Sequence, residues 1–590
     1  MSQRESKGAA QISAAVNGGE TTALAVLDET LARIEAYDAV QPQIWISRAP
    51  AERLRAQAKG IDARIAAGDT LPLAGVPFAV KDNIDVDGFE TTAGCPAFAY
   101  TADHSAHVVA QLEAAGALCV GKTNLDQFAT GLVGTRSPFG IPANAYNRAY
   151  ISGGSSSGSA IAVAAGLVPF ALGTDTAGSG RVPAAFNHLI GYKPSKGRWS
   201  TRGLVPACRT LDCISVFTHD TTDARLVDGV VAAFDPNDPY SRALPERLLE
   251  PHRIGVPMPG QRNWFGDAAS QRLYEKALAV LAEGATLIEL DIGYLQEAAA
   301  LLYNGPWVAE RTAALLDLLE RDPDAIDPTV RKVVEPGAEI SAVGAFEGQY
   351  RLAALQREAE AMWDRVDMLA FPTTGTIYRI AELLAEPVAL NSNLGFYTNF
   401  VNLLDMAAVA VPAGQRDNGT GFGITLIGPA GSDSGLLEAA EDYCAAAGLP
   451  ATPALDLEGK METVKLAVVG AHLKDMPLHW QLTSRHATFV GSFQTAATYR
   501  LYAMADSIPP KPALVHSDDG GAIAVEVYEL DVGAFGSFVS EVPAPLAIGT
   551  VTLEDGSSVK GFVAEPRATV GAEDITALGG WRAYIAREAG

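Results

Sequence analysis

The segment from Ile151 to Asn187 constrains the fold of this chain more than any other feature of the sequence. It reads ISGGSSSGSAIAVAAGLVPFALGTDTAGSGRVPAAFN, so glycine and serine lie on both sides of a small-residue helix and a short apolar strand. Glycine at this density lets the backbone approach a ligand closely and turns successive N–H groups toward one point. The serines at the two ends of the segment are therefore candidates for nucleophilic catalysis.

Strand-like and helix-like runs alternate over most of the chain. From Leu73 onward, GVPFAVKDN, ALCVGKTN and VPFALGTDTAG are apolar runs that pass into small or polar residues, with alanine-rich helical stretches between them. Helical texture also covers residues 20–67 and 295–364. This alternation predicts an α/β domain. The longest apolar run, Ala160 to Gly173, is broken by glycine and proline and is too short to span a membrane.

A change of composition predicts a second domain. Residues 448–460, GLPATPALDLEGK, are rich in proline, glycine and small residues and form the best linker candidate. After them, VKLAVVGAH, YRLYAM, AIAVEVYEL and LAIGTVTL are typical of a small strand-rich domain. We therefore expect one domain over residues 1–455 and a second, α+β domain over residues 456–590.

The charge of the chain narrows its function. A formal net charge of −25 and a pI near 4.8 repel phosphate backbones and anionic membrane surfaces, so neither nucleic acid nor a membrane is an expected partner. An anionic substrate would need cationic groups inside its pocket. The five cysteines contain no C-x-x-C pair, and the start, MSQRESKGAAQ, has no apolar stretch after its basic residues. These features predict reduced thiols and a cytoplasmic protein.

A serine nucleophile needs a base within hydrogen-bonding reach. His104, His107 and His188 lie in positions typical of surface or structural residues. A lysine can serve instead when burial lowers its pKa toward neutrality. Lys81 ends the apolar run GVPFAV, which places it at the buried end of a strand. Taken alone, however, this position favours a strand-end lysine whose ammonium group reaches solvent.

Two other motifs compete with this arrangement. Residues Gly154 to Gly158 also satisfy G-x-S-x-G, the nucleophile elbow of α/β hydrolases, which requires a buried strand directly before it. The preceding residues AYISGG are not such a strand, so the pattern argues against an elbow. The glycine-lysine-threonine at Gly121 to Thr123 ends the apolar strand-like run ALCV and does not follow a glycine-rich turn, so a phosphate loop is not predicted either.

Three segments in the same order carry a family resemblance. GVPFAVKDN, the run SGGSSSGS and GTDTAGSGRVPAAF resemble the three signature blocks of the amidase signature family. The resemblance covers roughly residues 20–450 and implies an α/β/α layered domain around a mixed sheet. It also implies a Ser-cisSer-Lys triad, in which Ser179 attacks an amide carbonyl while Ser155 and Lys81 relay the proton.

The same resemblance assigns roles to the residues around the nucleophile. The backbone N–H groups of Thr176, Ala177 and Gly178 are expected to stabilise the oxyanion that forms on attack. Asp175 and Arg181 flank the nucleophile and are expected to hold the loop rather than to react. The implied chemistry requires no metal ion and no organic cofactor.

A finer resemblance narrows the substrate. STRGLVPACRTLDCISVF, LLYNGPWVAERTAAL and the region after the linker are similar to the allophanate hydrolase branch of the family. This resemblance implies that Tyr303 and Arg311 bind a small anionic amide, allophanate. Pro306 suits the first position of a helix whose second turn contains Arg311. The guanidinium of Arg311 would bind a carboxylate through paired hydrogen bonds. The alternative is a surface arginine paired with Glu310 or Asp317.

The last part of the chain, residues 464–590, is similar to the C-terminal domain of that branch, which itself resembles the γ-glutamylcyclotransferase fold. In VVGAHLKDMPLHWQLT, the resemblance implies that His472, His479 and Gln481 line a pocket. Two departures argue against catalysis there. His479-Trp480 replaces the usual asparagine-histidine, and neutral GAFGS follows ELDV where a cyclotransferase has an acid. The domain has been credited with decarboxylation in some members and with assembly in others.

Other functions and an oligomeric state stay open at this stage. The chain is compatible with another amidase of the family, either a broad aliphatic amidase or the amide-hydrolysing component of a tRNA-dependent amidotransferase. It is also compatible with an assembly protein whose main role lies in the C-terminal domain, although complete catalytic blocks argue against a decayed enzyme. The resemblance further suggests a homodimer formed through the amidase domain.

Overall fold

The structure of the protein is a computed structural model of two compact units, residues 1–457 and 458–590. The residues that it describes are 7–449, 463–483, 485, 487–504 and 507–589. The domain boundary predicted at residue 455 lies outside the described residues. In the part of the chain described, no helix is both long and apolar enough to cross a membrane.

The helices of the first unit surround a large sheet. They are α1 (Ala9–Asn17), α2 (Ala23–Asp38), α3 (Ala51–Ala66), α4 (His107–Ala114), α5 (Ser157–Ala164), α6 (Val182–Phe186), α7 (Thr221–Val231), α8 (Ala268–Ala282), α9 (Gly293–Asn304), α10 (Trp307–Arg321), α11 (Pro328–Val334), α12 (Ala342–Met362), α13 (Ile380–Ala385), α14 (Ala389–Leu394), α15 (Phe400–Leu403) and α16 (Asp433–Ala447).

The strands of this unit alternate with those helices, as the sequence predicts. They are β1 (Trp45–Arg48), β2 (Pro77–Lys81), β3 (Glu90–Thr91), β4 (Tyr100–Thr101), β5 (Leu118–Thr123), β6 (Phe170–Asp175), β7 (Ile190–Lys193), β8 (Cys213–Thr218), β9 (Arg253–Pro257), β10 (Thr286–Leu290), β11 (Met368–Pro372), β12 (Met406–Gln415) and β13 (Gly421–Pro429). The helical texture expected over residues 20–67 is interrupted by β1, which pairs with β5 at the edge of the sheet.

Eleven strands form one mixed sheet in the order β1-β5-β2-β6-β8-β7-β12-β13-β11-β9-β10. Alternate side chains of β11 enter different apolar clusters. Met368 and Ala370 pack in one cluster, whereas Leu369 and Phe371 pack in the other. Because successive side chains of a strand point to opposite faces, both faces of the sheet are covered. The predicted α/β fold around a mixed sheet is therefore confirmed.

Two adjacent strands of this sheet, β2 and β6, carry the first and last signature blocks. The strand β2 runs parallel to both β5 and β6, and all of its side chains are buried. The carboxyl ends of parallel strands meet at the same edge of a sheet, where ligand sites of such folds form. Lys81 at the end of β2 and Asp175 at the end of β6 therefore lie at one edge.

The second unit is strand-rich, as predicted. A five-stranded sheet has the order β15-β18-β14-β20-β19, and a three-stranded sheet has the order β17-β16-β21. The elements are β14 (Thr463–Val468), α17 (Trp480–Thr483), β15 (Thr488–Gln494), β16 (Tyr499–Ala503), β17 (Pro512–His516), β18 (Ala524–Asp531), α18 (Val532–Ser540), β19 (Leu546–Thr552), β20 (Ser558–Ala564), β21 (Glu573–Asp574) and α19 (Trp581–Ala589).

Candidate active site

Lys81 is completely buried and contacts two hydroxyl groups. Its Nζ donates to Ser155 Oγ at 2.7 Å and to Thr174 Oγ1 at 2.7 Å. Burial lowers the pKa of Lys81 to about 7, against the opposing charges of Asp126, Asp212 and Asp175. A lysine amine in this state is able to accept a proton near neutral pH. The strand-end lysine that reaches solvent is excluded here.

Ser155 lies in the glycine-rich stretch that precedes α5. The Gly154–Ser155 peptide is cis, and the Ser155 side chain is fully buried. A side chain at residue 154 would collide with the carboxylate of Asp126 and with the backbone nitrogens of Val133 and Gly134. Glycine is therefore required at this position for close packing against the 126–134 loop.

Ser179 lies in the turn between β6 and α6. Its side chain is buried, and its Oγ contacts the carbonyl oxygen of Gly131 at 3.5 Å. No hydrogen bond joins Ser179 to Ser155 among the described residues. The structure therefore brings Lys81 and Ser155 into direct contact and leaves the Ser155–Ser179 step of the expected relay without a hydrogen bond.

An internal ion pair holds the loop around the nucleophile. Arg181 donates from Nε and Nη2 to the two oxygens of Asp175, at 2.8 and 2.9 Å. Burial raises the pKa of Asp175, but the adjacent Arg181 guanidinium outweighs it, so the pKa falls below its usual value. The same carboxylate accepts from the N–H groups of Gly178 at 2.8 Å and Gly180 at 3.1 Å. Asp175 and Arg181 thus shape the loop, as expected.

The three N–H groups expected to stabilise an oxyanion differ in whether they already have a hydrogen-bond acceptor within the protein. The Gly178 N–H is already engaged by Asp175, because the loop folds back over that carboxylate. In the described part of the chain, the N–H groups of Thr176 and Ala177 meet no protein acceptor. Thr176 and Ala177 are therefore the members of the expected set whose N–H groups are unoccupied by a protein acceptor, and the oxyanion role of all three residues stays a prediction.

Arg311 is a buried cation that forms no ion pair with an acidic side chain among the described residues. Burial lowers the pKa of Arg311, but nearby charges, which include those of Asp212 and Glu310, raise it above its usual value. Only 2% of the residue is exposed, its Nη1 donates to Thr130 Oγ1 at 3.2 Å, and its Nε has no hydrogen-bond partner. Glu310 instead accepts from Thr210, and Asp317 pairs with Arg321. The alternative of a surface arginine paired with Glu310 or Asp317 is therefore excluded.

Thr130 and Gly131 connect the two parts of the site. Arg311 contacts Thr130, and Ser179 contacts the next residue, Gly131. The cation and the candidate nucleophile therefore face adjacent residues of one loop. Tyr303 lies on the same side, because the Arg311 guanidinium sits 5.3 Å from the centre of its ring.

The two residues expected to bind substrate come from consecutive helices. Tyr303 lies in the last turn of α9 and so precedes α10, the helix of Arg311. Pro306 caps α10 rather than occupying its first turn, and α10 begins at Trp307. The bend at Gly305 between the two helices brings Tyr303 next to Arg311.

Three polar residues of this site were missed from the sequence. Thr174 holds Lys81, Thr130 holds Arg311, and Asp212 accepts a hydrogen bond from Thr176 Oγ1 at 2.5 Å. Thr174 stands inside the GTDTAG block, and Asp212 interrupts an apolar run, LDCISVF, so both carried a local signal. Thr130 had none, because its role depends on a contact with α10.

The histidines and metal ligands give no competing site in the described part of the first unit. His188 is buried, which lowers its pKa to about 4, and its ring packs edge-on against Tyr146. His107 Nδ1 lies 2.9 Å from Arg202 Nη2. Within the described ranges, no cluster of histidine, cysteine, aspartate or glutamate side chains is arranged to hold a metal ion.

The second unit places its three expected pocket residues in two different environments. His472 and Gln481 line a cavity of about 260 Å³, and His472 Nε2 lies 2.7 Å from Gln481 Oε1. His479 is not among the cavity-lining residues. Its Nε2 contacts the hydroxyl of Tyr528 at 3.2 Å, and Tyr528 donates to Glu526 at 3.1 Å.

Comparisons with known protein families divide the chain in the same way. Residues 25–437 match the family model described as Amidase. Residues 464–586 match the model described as Allophanate hydrolase C-terminal domain. The first match spans most of the first unit, and the second spans most of the second unit.

Individual proteins are similar over different lengths. The structure matches that of a selenomethionine-substituted allophanate hydrolase from Kluyveromyces lactis with a TM-score of 0.70 and 41% identity, over 97% of this chain and 98% of that one. A urea amidolyase of Saccharomyces cerevisiae is 44% identical over 92% of this chain, but the chain spans only 31% of that relative's length. A glutamyl-tRNA(Gln) amidotransferase component from Symbiobacterium thermophilum is 35% identical over 74% of this chain and 96% of the relative.

Proposed function

The chain belongs to the amidase family, and on this premise we propose that it is an allophanate hydrolase. It would cleave the terminal amide of allophanate and release ammonia. The observation that carries this substrate is Arg311, a buried guanidinium that forms no ion pair in the described chain, next to the loop that contacts Ser179. The charges of Asp212 and Glu310 act on Arg311 without forming an ion pair with it, and an anionic substrate in direct contact would compensate the cost of burying the guanidinium.

The first chemical step is acylation of Ser179. Neutral Lys81 accepts the proton of Ser155 across their 2.7 Å contact while Ser155 takes the proton of Ser179. Ser179 Oγ attacks the amide carbonyl and forms a tetrahedral oxyanion. The N–H groups of Thr176 and Ala177 donate hydrogen bonds to this oxyanion, and each such donor stabilises the transition state by about 3–4 kcal/mol.

The second half of the cycle returns the proton. When the tetrahedral intermediate collapses, its C–N bond breaks, the leaving nitrogen takes a proton from Ser155, and ammonia departs. Lys81 then returns its proton to Ser155. Water attacks the acyl group on Ser179 through the same relay and yields N-carboxycarbamate, which decarboxylates, so that the net products are ammonia and carbon dioxide.

Substrate orientation is assigned to Arg311 and Tyr303. The guanidinium of Arg311 is planar and forms paired hydrogen bonds with a carboxylate. Tyr303 packs on that guanidinium and limits its rotation. With the carboxylate held at Arg311, the terminal amide of a short substrate would lie near the 130–131 loop and Ser179.

Ammonia release from purified protein, without partner proteins, tests the proposal. We expect turnover of allophanate to exceed that of urea, biuret and malonamate. Equal or faster turnover of the uncharged amides would assign the chain to the broad aliphatic amidases instead. Ammonia release only with an amidotransferase partner would assign it to that group.

We also propose that the protein is a cytoplasmic homodimer. Its five cysteines, all within the described ranges, are free thiols, which supports a reducing compartment. The dimer rests on the family resemblance. Sedimentation at micromolar concentration checks it, and a particle with the mass of one chain would contradict it.

A further inference from the structure

A buried carboxylate supports the segment that would receive the oxyanion. Asp212 stands directly before β8 and is 6% exposed. It accepts from Thr176 Oγ1 at 2.5 Å and from the N–H groups of Ala207 and Cys208 at 2.9 and 3.1 Å. Charge-assisted hydrogen bonds of this kind are short and strong, and they fix the group that donates. Asp212 thereby holds the side chain of Thr176, whose own N–H has no protein acceptor in the described part of the chain.

The loop that contains Asp212 also reaches α10. The N–H groups of Leu211 and Asp212 both donate to the Cys208 carbonyl, at 2.9 and 2.8 Å, which closes the loop on itself. Thr210 then donates from its N–H and its hydroxyl to the two oxygens of Glu310, both at 2.8 Å. Glu310 is the neighbour of Arg311 in α10. Hydrogen bonds therefore run from Thr176 through Asp212 to the helix that carries Arg311.

A second contact ties the same loop to the end of β6. Asn402 Nδ2 donates to the carbonyl oxygens of Asp175 and Leu211, both at 2.8 Å. The strand end before Thr176 and the loop before Asp212 are thus joined at two places. This double attachment fixes the backbone of the segment and not only one rotamer of Thr176.

We infer that Asp212 is a positioning residue for amide hydrolysis, which holds the Thr176–Ala177 segment in place for the oxyanion and joins it to the helix of Arg311. The inference rests on the proposed amidase chemistry but not on allophanate as the substrate. The positioning matters most in the transition state, where the charge on the carbonyl oxygen develops. Loss of the contact therefore lowers kcat and leaves KM nearly unchanged.

The free-energy cost of burying the Asp212 carboxylate supports a functional role for this residue. Burial raises the pKa of Asp212 to about 6, although the hydrogen bonds from Thr176 and Cys208 and the charge of Arg311 oppose the rise. A carboxylate kept charged at neutral pH in such a place costs stability, which is often the case at functional sites. The hydroxyl of Thr176 and the N–H groups of Ala207 and Cys208 all donate to Asp212, so this position requires an acceptor oxygen.

The main test uses Thr176, which offers conservative variants. Thr176→Val keeps the shape of the side chain and removes the hydroxyl, so we expect kcat to fall about 30-fold with KM within threefold. Thr176→Ser keeps the hydroxyl and should restore kcat to within threefold of the wild type. Asp212→Asn should lower kcat about 100-fold, and the Thr176→Val/Asp212→Asn double variant should be no slower than Asp212→Asn alone.

Ser195→Ala is the matched control. Ser195 is another buried hydroxyl that donates to a buried carboxylate, Asp433, at 2.6 Å in the same unit. We expect it to lower the melting temperature as Thr176→Val does, with kcat unchanged. Equal kcat effects of Ser195→Ala and Thr176→Val would overturn the inference, as would a Thr176→Val effect confined to KM.

The link to α10 has a test of its own. Glu310→Gln keeps one acceptor for Thr210 and should lower kcat about fivefold, on a carboxylated amide and on an uncharged amide alike. A change in KM for the carboxylated amide alone would show that Glu310 acts on substrate binding and would overturn this part. All these assays use an amide that the wild-type protein hydrolyses. If allophanate is not the substrate, the wild-type protein itself fails to hydrolyse it, and this result is distinct from any effect of the variants.

Discussion

The candidate active site of the first unit and the cavity of the second unit pair their ionisable groups in different ways. In the first unit, Lys81 contacts only hydroxyl groups, and Arg311 forms no ion pair in the described chain. In the second unit, His472 contacts Gln481, Gln481 Nε2 donates to Glu541 at 3.3 Å, and Arg485 forms an ion pair with that same glutamate. These four polar side chains of the second unit therefore satisfy one another.

This difference indicates where chemistry on a charged substrate is expected. A buried guanidinium that forms no ion pair within the protein is able to bind an anionic ligand. A buried lysine that forms no ion pair has a pKa close to neutral pH. A network closed among histidine, glutamine, glutamate and arginine needs no ligand for its stability. Burial lowers the pKa of His472, which the hydrogen bond to Gln481 partly offsets, so the ring is mostly uncharged near neutral pH.

The largest effect expected from the difference between the two units comes from removing the proposed nucleophile, Ser179, in the first unit. Ser179→Ala should lower ammonia release at least a thousandfold with an unchanged melting temperature, because the side chain contributes little packing but forms the acyl intermediate. Lys81→Ala and Ser155→Ala should be severely impaired, and combining either with Ser179→Ala should cost nothing more, since the three act as one unit. Residual activity of Ser179→Ala above a hundredth of wild type would contradict the assignment.

The second test concerns the unpaired cation. Arg311→Leu should lower kcat/KM for allophanate about 100-fold, which corresponds to about 3 kcal/mol for an unmet charged partner. An uncharged amide should lose less than fivefold, because it presents no carboxylate. Arg321→Leu, at a surface arginine of the same helix that pairs with Asp317, is the control and should leave both activities intact. An equal loss on both substrates would make Arg311 structural.

The third test uses pH. Only the neutral amine of Lys81 accepts a proton, so kcat/KM should rise with pH and level off above the pKa of about 7. At pH 6 the rate should be about a tenth of the plateau, because one pH unit changes the neutral fraction tenfold. Steady-state rates from pH 5.5 to 9 measure this profile. A rate independent of pH between 6 and 8 would rule out Lys81 as the base.

The smallest effect is expected in the second unit. His472→Ala should change the first ammonia release from allophanate less than threefold, since every residue proposed to act on the amide lies before residue 450. A chain shortened to residues 1–455 should retain that step to within about tenfold and lose thermal stability or association instead. Stopped-flow detection of ammonia separates the first release from the second. A tenfold loss in the full-length His472→Ala variant would show that the second unit serves the deamination step.

Much of the fold followed from local pattern. The apolar runs predicted β2, β5 and β6, because a strand that is buried on both faces of a sheet is apolar along most of its length. Glycine at positions 153–154 and 178 marked the turns at which the backbone packs closely. The catalytic roles of Lys81, Ser155 and Ser179 stay predictions.

The sequence by itself thus determined the α/β class, the family and the candidate residues, since these depend on spacing along one strand, helix or turn. Tertiary structure alone decided which candidates share an environment. Glu310 and Arg311 are neighbours in the chain, yet Glu310 contacts Thr210 while Arg311 contacts Thr130. Likewise His472 lines a cavity and His479 does not. Such partners lie many residues away, so only the packing of distant elements sets which charge remains unpaired.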